Sequence, residues 1–302
     1  MATQPIPLMP TNEQTKVGDN PAPPLRPRMS TRNRLLFFLT AWLLVLMPFL
    51  FWWSTWFGRA LTDKEMAEYL NDNAHPRHIQ HAIVQLGQRM SQHDQSAARW
   101  YGDLVRVASN PREEVRSTDA WVMGQDTAGP GFHEALLKML SDPSLMVRGN
   151  AALSLVRFGD SSGRAQIVAL LQPVAITTPT DGKVMDTAGM GTAIHQGGLI
   201  AKLKNNDGQE HELRSPISGR VRRLSAATGA DVTAGTAIAT VDPGEEQVWE
   251  ALRALYVIGQ VDDLPAIRPY ESSYQRLSPE VPERLRQQAL DTERAIQERA
   301  RQ

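Results

Sequence analysis

A chain of 302 residues with 32 basic and 33 acidic side chains carries a formal net charge of -1, without the basic excess that a nucleic-acid binder shows. It has no cysteine, which removes disulfides and a cysteine nucleophile from consideration. With the N-terminal tail, one apolar run and the polar C-terminal stretch set aside, about 210 residues remain, enough for two modest domains.

Residues 1–34 are polar and contain Pro5, Pro7, Pro10, Pro21, Pro23, Pro24 and Pro27, the composition of a disordered tail. Residues 35–58 then form an uncharged run including Leu35, Phe37, Leu43, Val45 and Phe49. As a helix this run would be roughly 35 Å long, enough to span a bilayer with some tilt. Pro48 would kink it, and Trp52, Trp53 and Trp56 gather at one end like an interfacial aromatic belt. The long preceding segment and the length of the run favour an uncleaved anchor over a signal peptide. Arg26, Arg28, Arg32 and Arg34 precede the run without an acidic residue among them, whereas Arg59 and Lys64 are offset by Asp63 and Glu65. The positive-inside tendency puts the N-terminus in the cytoplasm and the rest outside it.

Residues 62–172 read as helices with an internal repeat. Asn110, Pro111, Val115, Arg116, Ala120 and Met123 recur as Asp142, Pro143, Val147, Arg148, Ala152 and Leu155, a shift of 32 residues that is a helical-repeat period. Residues 82–87 read as the end of an earlier, degenerate copy. The pattern resembles short HEAT repeats of the phycobilisome-lyase type. It resumes over residues 244–271 with Ala251, Leu252, Leu255 and Ile258, then Leu264 and Ile267. Residues 272–302 are expected to be a polar linker and a charged helix, on which Leu285, Ala289 and Ile296 leave only a thin apolar stripe.

Between these helical stretches, residues 174–243 hold a duplication. Pro179, Gly182, Lys183 and Val184 recur as Pro216, Gly219, Arg220 and Val221. Gly191, Ile194, Gly197, Ile200, Ala201 and Leu203 recur as Gly229, Val232, Gly235, Ile238, Ala239 and Val241, with one extra residue between the two blocks. Glycines at fixed offsets with short β-branched stretches read as hairpins. Neither copy is long enough to bury a core alone, so the two are expected to interlock about a pseudo-twofold axis.

These half-motifs resemble the biotinyl/lipoyl-like barrel-sandwich hybrid domain of HlyD-type membrane fusion proteins, the periplasmic adaptors of bacterial envelope transport. The resemblance covers about a quarter of the chain. Joined to the apolar run and the helical repeats, it gives an expected α+β protein in which one transmembrane helix precedes a HEAT-like α-solenoid with an inserted barrel-sandwich module. It further implies a bacterial inner-membrane location with periplasmic domains, and protein partners such as an ABC-type or other envelope transport complex, with a homo-oligomer compatible. Family carriers attach their cofactor to a lysine at the hairpin between the halves. Gly208 occupies that position, so no cofactor is expected, and Asp207-Gly208 reads as a type I′ turn. The long helical hairpin that fusion proteins insert at this tip is absent from the sequence, a departure from the family.

No catalytic constellation emerges. His75, His78 and His81 are spaced by three, but no carboxylate lies one turn further along the same face, so they read as a solvated helix start and no metal site is expected. His195 and His211 read as surface strand residues. Glu113-Glu114, Glu245-Glu246 and Asp262-Asp263 read as helix-start acids. The sequence therefore points to a non-enzymatic membrane-anchored scaffold or adaptor. The alternatives are a carrier accessory to an enzyme and a membrane-bound periplasmic sensor. The expected contact surfaces are the helical face around Arg116 and Arg148 and the sandwich tip at residues 205–208.

Overall fold

The structure is a computed structural model that describes residues 30–52, 60–271 and 282–301. The proline-rich tail up to residue 29, Trp53, Trp56 and the linker at 272–281 lie outside the described residues. Two units result, Met1–Arg59 and Ala60–Gln302.

In the first unit, helix α1 (Thr31–Trp52) runs through Pro48, and Leu35 to Leu39, Trp42, Leu44 and Phe49 are exposed along it. Over Thr31–Leu50 its mean hydropathy is 1.8. By length and composition it is the one helix among the described residues able to cross a membrane.

The second unit is built on paired helices. Helix α2 (Asp63–Leu70) pairs with α3 (Pro76–Ser91), α4 (Tyr101–Val107) with α5 (Glu113–Met123), and α6 (Phe132–Met139) with α7 (Leu145–Arg157). Helix α8 (Arg164–Leu170) pairs with α9 (Glu245–Ile258), and α10 (Leu264–Ile267) with α11 (Glu283–Ala300). The second member of each pair stacks on the next in the order α3, α5, α7, α9, α11, forming a helical-repeat array. Apolar positions at helical spacing make this stack: Ile79, Ile83 and Leu86 of α3, Val115 and Met123 of α5, and Val147 and Leu155 of α7 are all fully buried. Polar side chains tie neighbouring helices through backbone carbonyls. Ser154 Oγ donates to Ala120 O at 2.7 Å and Asn150 Nδ2 to Ser117 O at 3.0 Å.

The C-terminal helix packs along the thin stripe that its sequence shows, and the packed edge makes α11 the last layer of the stack. Leu285, Ala289 and Ile296 are buried together with Thr292, whose hydroxyl donates to Gln288 O at 2.7 Å and to Leu252 O at 3.1 Å. Counting Thr292 as polar hid the middle of the stripe.

Between α8 and α9 the chain leaves the array for eight strands: β1 (Val174–Thr177), β2 (Gly182–Thr187), β3 (Ala193–Ile194), β4 (Leu199–Asn205), β5 (Glu210–Arg214), β6 (Gly219–Leu224), β7 (Asp231–Val232) and β8 (Ala237–Pro243). They form two antiparallel sheets, in the orders β1-β8-β6-β3 and β5-β4-β2-β7. Exchanging the first four strands for the last four carries one order onto the other. The register obeys the same exchange. Val184 pairs with Leu203 as Val221 pairs with Val241, and both ladders shift at the same place, before Asp186 and before Arg223. Each copy lends its shortest strand to the other, β7 beside β2 and β3 beside β6. Ile176, Val184, Ile200 and Leu203 share one core with their counterparts Leu213, Val221, Ile238 and Val241. Among the described residues the module is two separate sheets around one core, without the closure of a barrel.

Two glycines show why the repeat needs its first glycine. A Cβ on Gly182 would overlap the Lys204 carbonyl oxygen, and one on Gly219 the Asp242 carbonyl oxygen. Both strands therefore cross their neighbours at a separation that only glycine allows.

Candidate functional site

Arg116 and Arg148 stand on the expected contact face, but the sequence favours capping and intra-repeat ion pairs for the two side chains themselves, and their bonds are of that kind. Arg116 Nη1 donates to Asn110 O and Pro111 O at 2.8 and 3.1 Å, and Arg148 Nη1 to Asp142 O and Pro143 O at 2.6 and 2.9 Å. The same repeat position thus ties down the same inter-helix turn twice. Asn110 and Asp142 also accept the backbone N–H two residues on, at 2.9 and 2.8 Å. The copies then diverge. Arg116 continues through Nε and Nη2 to both carboxylate oxygens of Asp142, at 2.7 and 2.9 Å. Burial pushes the Asp142 carboxyl up, but Arg116 and the Ser144 N–H more than offset this and hold it below the usual range. The Asp142 hydrogen bonds raise Arg116 in turn. Among the described residues Arg148 makes only its two carbonyl bonds. One repeat beyond Asp142 the chain has reached Val174, where the sheets begin.

Beside this ion pair a cleft of about 620 Å³ opens between α4 and α6, lined by Val105, Ser109, Gly131, Glu134, Lys138 and Asp142 among others. The face formed by α3 and α5 exposes Val84 and Trp121, the latter to 47%, and Trp121 lies against Gly87. On α9, Tyr256 and Val257 are exposed as well. The sequence pattern counts Val84 and Val257 among the apolar repeat positions, and the structure leaves both exposed, while Trp121 and Tyr256 fall outside it.

The sandwich tip differs in detail from its sequence reading. Gly208 has φ +81°, while Asn206 and Asp207 are not in the left-handed region that a type I′ turn requires of both central residues. Gly208 N–H donates to Asn205 O at 3.0 Å and Asn205 N–H to Gln209 O at 2.9 Å. The loop is therefore a three-residue turn ending in a left-handed glycine, the G1-bulge hairpin. A lysine at 208 would have to adopt that left-handed backbone.

The histidines separate. His195 is exposed in a turn beyond β3, and His211 sits half-buried on β5. His81 lies on α3 with its Nε2 at 2.7 Å from Gln85 Nε2, and burial first, then His78, lowers its pKa. His75 and His78 both turn towards Asp72, which precedes the helix. The sequence reading looked for a carboxylate downstream on α3; the structure supplies one from the turn upstream.

Beneath the sheets the array is clamped shut. Gln247 Nε2 donates to Leu170 O at 2.8 Å, Tyr270 Oη to Leu171 O at 2.7 Å, and Arg164 meets Asp263 at 2.8 Å. Leu145 and Met146 at the start of α7 pack against the sandwich core.

No family model matches the chain, and no curated protein does. Among solved structures, a designed armadillo repeat protein in complex with the peptide (KR)4 aligns with 76% of this chain and 80% of its own, at 16% identity and a TM-score of 0.38. A single-chain, multi-domain long-chain acyl-CoA carboxylase aligns with 48% of this chain and 16% of its own, at 15% identity and a TM-score of 0.23. Superpositions this loose say nothing of what the chain does.

Proposed function

We propose that the chain is a non-enzymatic, membrane-anchored scaffold, held by α1 in a bacterial inner membrane with its N-terminus cytoplasmic and its folded part periplasmic. The helical array and the biotinyl/lipoyl-like barrel-sandwich module on it dock proteins of an envelope transport or secretion assembly. The observation that carries this reading is the stack of five helices, α3 to α11, on which large apolar groups such as Val84 and Trp121 are exposed. Extended stacks of this kind offer long surfaces to other proteins, and aromatic anchors dominate such contacts. The tip glycine supports docking over cofactor carriage, because the carrier position holds no lysine.

Purification of the full-length protein in mild detergent tests the reading. Stoichiometric protein partners should accompany the wild type and be lost from Trp121→Glu while the melting temperature holds. A partner-free monomer, or association indifferent to Trp121, would overturn it. Protease added to spheroplasts should digest the region after α1; resistance would reverse the orientation.

A further inference from the structure

The turn between α2 and α3 gathers three metal-ligand side chains. Asp72 Oδ2 lies 2.7 Å from His78 Nδ1 and 2.9 Å from His75 Nδ1, and one ligand atom from each residue lies within 4.8 Å of the other two. The arrangement is held from several sides. Asp72 Oδ1 accepts the His75 backbone N–H at 3.2 Å, and the His75 N–H also reaches Asp72 O at 3.1 Å, which closes the turn. Tyr69, in the last turn of α2, stacks on the His78 ring with centroids 4.4 Å apart and planes at 9°. Both imidazoles thus present the same nitrogen to one carboxylate.

We propose that Asp72, His75 and His78 bind one divalent transition-metal ion of the zinc class. Two imidazole nitrogens and one carboxylate oxygen form a set of borderline donors that suits zinc, whereas calcium and magnesium call for more oxygens. The side chains are 26%, 66% and 36% exposed in that order, so an ion reaches them from solvent and water completes its coordination. The short Asp72 contacts lengthen as the ion enters between carboxylate and rings. The site stands independently of the scaffold reading, and it would lock α2 to α3 at the start of the array.

The test titrates zinc chloride into the tag-free, chelator-treated full-length protein in detergent at neutral pH, followed by calorimetry. One zinc per chain is expected, with a dissociation constant on the order of 1 μM. His75→Ala and His78→Ala should each weaken it by about tenfold or more. His81→Ala, and His133→Ala at the two-residue pair with Asp160, should leave it unchanged. Because His75 is mostly exposed, its variant keeps the fold, which the metal-free melting temperature verifies. Absence of saturable binding below about 100 μM, or binding that survives both His75→Ala and His78→Ala, overturns the proposal.

Discussion

Arg116 and Arg148 occupy one position of one repeat and still differ in weight. Arg116 and Asp142 are nearly buried, at 12% and 9% side-chain exposure, so truncating either strands a charge. Arg116→Ala should cost about 3 kcal/mol in urea unfolding, against about 1 kcal/mol for Arg148→Ala, whose partners are turn carbonyls alone. Equal losses would mean the carboxylate contributes nothing. Asp119 poses the opposite case. It is fully buried on α5, neither oxygen has a hydrogen-bond partner among the described residues, and burial drives its pKa well up. Asp119→Ala should therefore stabilise the protein by about 1 kcal/mol at pH 7, read as a higher denaturation midpoint. Glu271 is pushed up to about 7, first by burial and then by the neighbouring Glu293 carboxylate. Its folded pKa exceeds its unfolded value, so the folded state holds the extra proton and stability from this group falls as pH rises from about 4.5 to about 7. Glu271→Gln should flatten that stretch of the stability profile. The repeat sequence showed where the arginines stand. Their partners depend on which residue occupies the equivalent position in the next repeat, and on whether a next repeat is there at all, which only the fold reveals.

At the scale of elements, most of the architecture was legible because it is repeated. Each half-motif placed its glycines and β-branched residues so that the two sheets, their register and their shared core arise from one duplication. The same logic gives a prediction. Gly219→Ala should unfold the sandwich or lower its melting temperature severely, because the new methyl meets the Asp242 carbonyl, a rigid group. Gly102→Ala on α4, with open space around it, should instead stabilise by about 0.5–1 kcal/mol. A Gly219→Ala protein with an unchanged sheet signal would remove the steric account of the crossing. Elements that do not repeat were harder to read. The α11 stripe was interrupted by Thr292, whose burial depends on α9 offering Leu252 O, and the Asp72 cluster uses a turn rather than a helical period. Periodicity finds faces of helices; it does not find side chains brought together across a turn.

Taken whole, the second unit is a helical array in which the helices on either side of the β module also meet directly. The bonds from Gln247 and Tyr270 to the end of α8 and the Arg164–Asp263 pair join the helices on either side of the insertion directly. Replacing residues 173–243 by a short Gly-Ser linker should leave a cooperatively melting helical protein with its sheet signal gone; collapse of the helical signal would show that the module supports its host.

The exchange symmetry of the sheets reaches beyond the sheets themselves. Because β4–β5 and β8–β1 are equivalent hairpins, the free tip and the root of the module are one structure used twice, once capped by a tight loop and once unzipped to let the host chain pass through. A circular permutant opened at Asp207 and sealed between Pro243 and Val174 should fold to the same sandwich, and whatever docks on the free end would be gripping a copy of the joint by which the module is itself attached.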